Sequence, residues 1–199
     1  MTTISELKAL FEDSIAVKQR TMQDLLPKIA EAGILLTRAL ADGHKVLCCG
    51  NGGSAADSQH FAAELVNRFE TERRGLAAIS LTTDTSTLTS VANDYHFNQV
   101  FVRQIHALGR TGDLLLAIST SGNSANISHA VIAAQSQGMR TIALTGGTGG
   151  KIALQLNEHD IELRVTADKT ARIQETHILI IHCLCHIIDQ FFTNTEHKT

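Results

Sequence analysis

The run Asp113-Leu-Leu-Leu-Ala-Ile-Ser119-Thr-Ser-Gly-Asn-Ser124 joins a short apolar segment to a loop dense in hydroxyls with one glycine. Residues 125–137 are mostly small and apolar with no breaker, so the order reads strand, Ser/Thr/Gly loop, helix start. Such a junction suits a phosphate. Hydroxyls donate, glycine lets the backbone come close, and the unpaired amides of the helix start point at the anion. The Gly-Lys-Ser/Thr ending that serves a nucleoside triphosphate and its magnesium is missing. A phosphate monoester held by hydroxyls and amides is the chemistry that fits.

A second stretch has the same form. Lys45-Val-Leu-Cys-Cys-Gly50 reads as a buried strand, followed by Asn51-Gly-Gly-Ser-Ala-Ala-Asp57 and a helix to about Arg68. Two such loops at the ends of two strands predict one site at the carboxyl edge of an open α/β sheet, where ligands bind. The competing reading makes each loop a tight turn, with Ser54 and Ser124 as helix caps.

Side chains for acid–base work sit on the helices. His60 and Glu64 are four apart in the helix after the first loop, so they share a face. Gln174 and His182 share a face of the last helix, eight residues apart. The four together suit a divalent transition metal, and zinc suits that mixture of nitrogen and oxygen. Alone, His60 and Glu64 read equally as a surface pair. The segment from Ile178 to Cys185 is apolar almost all round, which predicts a buried His182 in need of a partner. His96, His106, His129, His159, His177 and His186 carry weaker signals. Asn93-Asp94 also reads as an Asx turn, and Arg172 as a phosphate cation, an interface cation or half of a surface salt bridge.

The elements that must position these groups follow from periodicity. Residues 4–41 predict two amphipathic helices broken at Pro27, the second ended by Asp42-Gly43. Strands are expected near 45–49, 77–81, 113–118, 140–144 and 160–165. The helices between them are expected over 53–68, 86–107, 124–137 and 149–157, and the last over 170–193. This alternation predicts βαβ units and a parallel sheet. The 199 residues suit one domain, with 1–43 a helical pair and 44–199 the α/β core. The leading pair must bury its apolar face, and a second subunit would supply a surface, so a homo-oligomer is expected.

Composition narrows the classes. A net charge of −3 with no Lys/Arg run argues against direct nucleic-acid binding, and 4% aromatics without Trp argue against stacking platforms. Cys48, Cys49, Cys183 and Cys185 lie in apolar runs without C-x-x-C spacing and read as reduced, buried thiols of a cytoplasmic protein. The polar amino terminus is no signal peptide, and every long apolar stretch is interrupted by charge or histidine, so no membrane span is expected.

Four motifs in order then show a resemblance: 50–57 (Gly-Asn-Gly-Gly-Ser-Ala-Ala-Asp), 92–95 (Ala-Asn-Asp-Tyr), 118–126 (Ile-Ser-Thr-Ser-Gly-Asn-Ser-Ala-Asn) and 171–177 (Ala-Arg-Ile-Gln-Glu-Thr-His). Together they resemble the bacterial phosphoheptose isomerases of the sugar isomerase (SIS) domain family, over nearly the whole chain. The resemblance implies a five-stranded parallel sheet of flavodoxin-like order, a homotetramer with sites at subunit interfaces, and a sugar-phosphate substrate. The activity implied is conversion of sedoheptulose 7-phosphate to glycero-manno-heptose 7-phosphate, the first step toward the heptose of lipopolysaccharide. Carried over by position, Ser54, Ser119, Thr120, Ser121 and Ser124 would hold the phosphate. Asn51, Gly52, Gly53, Asn93 and Asp94 would lie along the sugar, with Gln174 also at the substrate. His60, Glu64, Gln174 and His182 would bind one zinc per subunit, with Glu64 and His182 as the acid–base pair. Ala171 departs from the aspartate that some relatives carry. Residues 67–73 and 182–189 are also shared with a related binding protein that associates with the DnaA replication initiator. That relative lacks the carboxylate matching Glu64 and disrupts the Ser-Thr-Ser loop, and both are intact here, which favours the enzyme over a replication-initiator contact. A sugar-phosphate sensor is the third reading, without a preceding DNA-binding segment.

Overall fold

Five runs rich in Val, Ile, Leu and Cys become the strands of one all-parallel sheet, ordered β2-β1-β3-β4-β5. The computed structural model describes residues 3–196, with side chains to 193; residues 1–2 and 197–199 of the expected domain lie outside it. The strands are β1 (Val46–Gly50), β2 (Ala78–Ser80), β3 (Leu114–Ser119), β4 (Arg140–Gly146) and β5 (Ile161–Val165). The helices are α1 (Ile4–Ala41), α2 (Gly53–Val66), α3 (Thr85–Asp94), α4 (Val102–Leu108), α5 (Ala125–Ser136), α6 (Gly150–Gln155) and α7 (Thr170–Glu196). The strand order is the flavodoxin-like one.

Alternate strand residues divide between two cores. Val46, Cys48, Leu114, Leu116 and Ile118 face the layer of α1, α2 and α7. Leu47, Cys49, Leu115 and Ala117 face the layer of α3 to α6. With both faces covered, β1 and β3 need no polar side and read as unbroken apolar runs, whereas the edge strand β5 alternates Glu162 and Arg164 with its buried residues.

The expected helical pair is one helix. α1 starts at a capping box, in which Thr3 and Glu6 each accept the other's backbone N–H, and it runs through Pro27 without a break. Val17, Thr21, Leu25, Ile29, Ala32 and Leu36 are buried on both sides of the proline, three or four residues apart. One continuous face therefore packs on α7 and β5. Pro27 and Gln23 are exposed, so the carbonyl that loses its donor lies on the solvent side. An interior proline costs about 3 kcal/mol. Burying Leu25, Ile29 and Leu36, at about 1.5–3 kcal/mol each, more than offsets it. The helix also finds its partner within its own chain, although Ile4, Leu7, Phe11 and Ile15 of its first turns stay exposed.

The helix expected over 86–107 is divided. α3 ends at Asp94, His96 is extended, a 3-10 turn covers Phe97–Gln99, and α4 begins at Val102. His96 Nδ1 accepts the Asn98 N–H at 3.2 Å. The run from Asn93 to Asn98 supplies polar side chains that bond one another and the backbone in place of the helical ladder.

α7 departs from expectation in the other direction. By length and composition, Thr170–Thr193 is apolar enough to cross a bilayer, despite its histidines. Its apolar residues instead pack against α1 and beneath β4 and β5, as a core helix does.

His177 lies fully buried on α7, with Nε2–H donating to the Thr145 carbonyl at 2.9 Å and Nδ1 without a partner. Burial pushes its pKa down to about 4, against the smaller opposing effect of that bond. The unfolded chain takes up this proton near pH 6.5, so stability falls as pH drops from 6.5 toward 4 and is independent of this group above 6.5. At pH 5 the loss from this residue should be about 2 kcal/mol relative to pH 7. Denaturant unfolding of the wild type and of His177→Gln at both values checks this: the variant should lose that part of the pH slope.

Candidate active site

Gly50 of β1 pairs in register with Ile118 of β3, so the loops beginning at Asn51 and Ser119 leave the carboxyl edge side by side. This is the point where the strand order reverses. Asn51 and Asn126 lock the loops together, each carboxamide donating to the other at 2.8 Å. Ser119, itself buried, donates to the Ser124 hydroxyl at 3.2 Å, and Ser121 Oγ accepts the Asn123 N–H at 3.1 Å. Gly122 holds φ +64°, and a Cβ there would collide with the Gly149 carbonyl, so the second loop lies directly against the turn before α6.

The cap reading of these loops fails. Gly52 occupies the N-cap of α2, placing Ser54 inside the first turn, and Ser124 sits at the N-cap of α5 without a side-chain cap bond. Two helices of 14 and 12 residues thus present their starts beside the loop hydroxyls, with neither N-cap residue making a side-chain cap bond and only the Ile127 N–H taken by a side chain, Asn126. An anion is the complement of that arrangement.

α7 crosses α2 so that the expected acid–base residues converge. His60 Nε2 lies 3.0 Å from His182 Nε2 and 3.3 Å from Glu64 Oε1. The amide of Gln174 lies over the first loop, where any side chain at residue 53 would overlap it, so Gly53 is what admits it. His182 is half-buried, not enclosed as its apolar surroundings suggest, and His177 is the buried histidine of that helix. The partner that His182 needs is His60. On its other side the His182 ring stacks on Phe69, with centroids 5.5 Å apart and planes at 28°.

Asp57 joins this group from one turn before His60. Burial raises its pKa, with the nearby His60 charge opposing, and its Oδ2 is enclosed without a hydrogen-bond partner. Two imidazoles and a carboxylate form the nitrogen–oxygen donor set that zinc takes. Among the described residues, however, no group of three or more His, Cys, Asp and Glu is drawn into a metal-holding cluster. The two imidazoles share a hydrogen bond instead.

The SIS domain family profile matches residues 10–146. A phosphoheptose isomerase from Halorhodospira halophila is 58% identical over 190 residues, covering 96% of each chain. The solved phosphoheptose isomerase GmhA from Neisseria gonorrhoeae superposes with a TM-score of 0.91 at 50% identity, over 95% of this chain and all of that one. One from Francisella tularensis gives 0.93 at 50% identity, over 96% and 100%. The chain belongs to the SIS-domain family, among its phosphoheptose isomerases. In this SIS-domain chain the two hydroxyl-rich loops leave one edge of the sheet, Gln174 lies against the first of them, and His60, Glu64 and His182 converge where α2 and α7 pack.

Asn93 and Asp94 are exposed at the end of α3 and bonded to one another at 2.9 Å. Arg172 is no surface ion: it is buried, donating to the Leu10 carbonyl and to Glu175 at 2.7 Å, and so ties α7 to α1. Asn126, Asp57 and Phe69 are the site neighbours that residue type alone did not single out. Asn126 closes the 118–126 motif, and its spacing from Asn51 in two matching loops is the signal that could have found it.

A hydroxyl that donates to a phosphate oxygen has a charged acceptor, a bond worth about 1.5–3 kcal/mol. Ser119→Ala with Ser121→Ala should therefore weaken sugar-phosphate binding by two orders of magnitude or more, roughly. Calorimetric titration checks this, with unfolding curves reporting an intact fold.

Proposed function

We infer that this chain interconverts sedoheptulose 7-phosphate and D-glycero-D-manno-heptose 7-phosphate, an aldose–ketose isomerisation at the entry to the heptose of lipopolysaccharide. The observation that carries this reading is the pairing, on one sheet edge, of an uncapped hydroxyl cradle with a His–Glu–His cluster. His60 and Glu64 stand six and ten residues beyond Ser54 on α2, about 9 and 15 Å along the axis. A heptose held by its C7 phosphate at the loops extends its reacting C1 and C2 toward those groups.

The chemistry moves a proton between adjacent carbons through an enediol and exchanges protons between two oxygens. Glu64 takes the carbon-bound proton as general base, and His182 serves the oxygens as acid and base. His60, beside both, orients the carboxylate and the imidazole. Ser54, Ser119, Thr120, Ser121 and Ser124 fix the phosphate far from the reacting carbons, and Asn51, Gly52, Gly53, Asn93, Asp94 and Gln174 line the sugar. His60, Glu64, Gln174 and His182 would hold one zinc per subunit, which would supply Lewis-acid polarisation of the substrate carbonyl. Glu64, on the site side of α2, favours the isomerase over a non-catalytic contact with a replication initiator.

The exposed Ile4, Leu7, Phe11, Ile15, Met22 and Leu26 along α1 support a homotetramer, with these side chains covered by other subunits. The four free thiols, Cys48, Cys49, Cys183 and Cys185, support a cytoplasmic site of action. Sedimentation equilibrium should return about four times the monomer mass; a fully active monomer contradicts the tetramer.

Glu64→Gln keeps size and hydrogen bonding but removes the basic oxygen. Turnover of sedoheptulose 7-phosphate should fall by roughly 100- to 10,000-fold while substrate still binds. A variant keeping more than about a tenth of wild-type turnover removes Glu64 as the base.

A further inference from the structure

Residues 67–77 leave the end of α2 and return to the sheet at β2, and their first part does more than connect. The Phe69 ring stacks on the His182 imidazole, whose Nε2 bonds His60 on the α2 side. The next two backbone amides, of Glu70 and Thr71, both donate to Asp189 Oδ2, at 3.0 and 3.2 Å, and the Thr71 hydroxyl adds a third bond at 3.2 Å. The other oxygen of Asp189 accepts from Arg73 Nε at 2.7 Å, and both side chains are enclosed, 0% and 2% exposed.

Arg73 spends its remaining donors on carbonyls. Nη2 donates to Glu64 at 2.8 Å, and Nη1 to Leu65 at 2.9 Å and Arg74 at 3.0 Å. The Glu64 and Leu65 carbonyls are among the last four of α2, which have no partner within the helix. One ion pair thus fixes three things at once. It holds the end of α2 at the backbone of Glu64, the chain just after Phe69, and α7 seven residues beyond His182 on the same face. Burial raises the Asp189 pKa, but the bonds from Arg73, Glu70 and Thr71 outweigh it and hold the carboxyl below its ordinary range.

A buried ion pair is weak as a source of stability, since apolar residues of similar volume serve as well or better. What this pair supplies beyond an apolar seam is direction: each bond fixes one backbone group relative to α7. We propose that residues 67–74 form a positioning strap for the isomerisation, in which Phe69 sets the plane of the His182 imidazole and the Arg73–Asp189 pair sets Phe69. This rests on the assignment of His182 as acid and base. Phe69, Arg73 and Asp189 are positioning residues acting through His182.

The test compares Phe69→Leu, which keeps apolar volume but loses the flat face, with Phe69→Tyr, which keeps it. Arg73→Lys keeps the charge but loses the fork to the carbonyls. All are made in the full chain and measured by steady-state kinetics on sedoheptulose 7-phosphate and by the ring resonances of His182. Phe69→Leu should lower kcat by roughly 10- to 100-fold with KM within about twofold, and Phe69→Tyr should restore kcat. The His182 resonances should shift in Phe69→Leu and in Arg73→Lys and stay near wild type in Phe69→Tyr. Wild-type kcat in Phe69→Leu, a loss confined to KM, or no recovery in Phe69→Tyr overturns the proposal. If the wild-type chain does not turn over this sugar, the isomerase reading fails instead, and the resonances decide the strap alone. Unshifted His182 signals in both Phe69→Leu and Arg73→Lys overturn it.

Discussion

α7 carries apolar residues around most of its circumference, and water can be kept from them only by surrounding the helix. The sheet covers one side and α1 another, with the end of α2 against a third. Much of the remaining architecture follows from that requirement. α1 must be long and straight enough to lie along α7, which is why the seam of buried residues runs past Pro27 unbroken. α2 must pack on α7 as well, and His182, half-exposed, meets His60 of α2 there.

The sheet contributes the other half of the site by topology. The reversal of strand order between β1 and β3 splays their connections to opposite faces, so the loops at their ends border a crevice. Small residues fill that border because backbone must come close to backbone and to the Gln174 amide. The hydroxyl loops and the His60–Glu64–His182 cluster thus arise from two separate constraints, strand order and helix burial, and α2 belongs to both. Its first turn faces the loops and its last turns face α7.

Much of this was legible in the residues. Strands buried on both faces show as continuous runs of Val, Ile, Leu and Cys, and each was placed within a residue or two at most of its ends. The hydroxyl loops were legible because Ser, Thr and Gly cluster there between an apolar strand and a helix start. His60 and Glu64 were found by helical spacing. Two features misled. Pro27 looked like a boundary, because a local rule about one missing hydrogen bond cannot weigh the tertiary face that continues beyond it. The 86–107 region looked like one helix, because periodicity from Leu88 to Ile105 masks the polar run from Asn93 to Asn98. Phe69, Arg73 and Asp189 were illegible as a unit, since their association depends on a crossing angle that no local pattern encodes.

The reciprocal amide pair of Asn51 and Asn126 joins residues 75 apart in sequence. Neither carboxamide can find its partner until β1 and β3 have paired, a contact that closes most of a hundred-residue loop and is slow to form. The crevice between the two loops is therefore a late product of folding, and no segment holding one loop alone can mature it. A ligand that grips both loops binds only the finished sheet and draws the folding equilibrium toward it by mass action. Supply of its own substrate then becomes part of what keeps the chain folded.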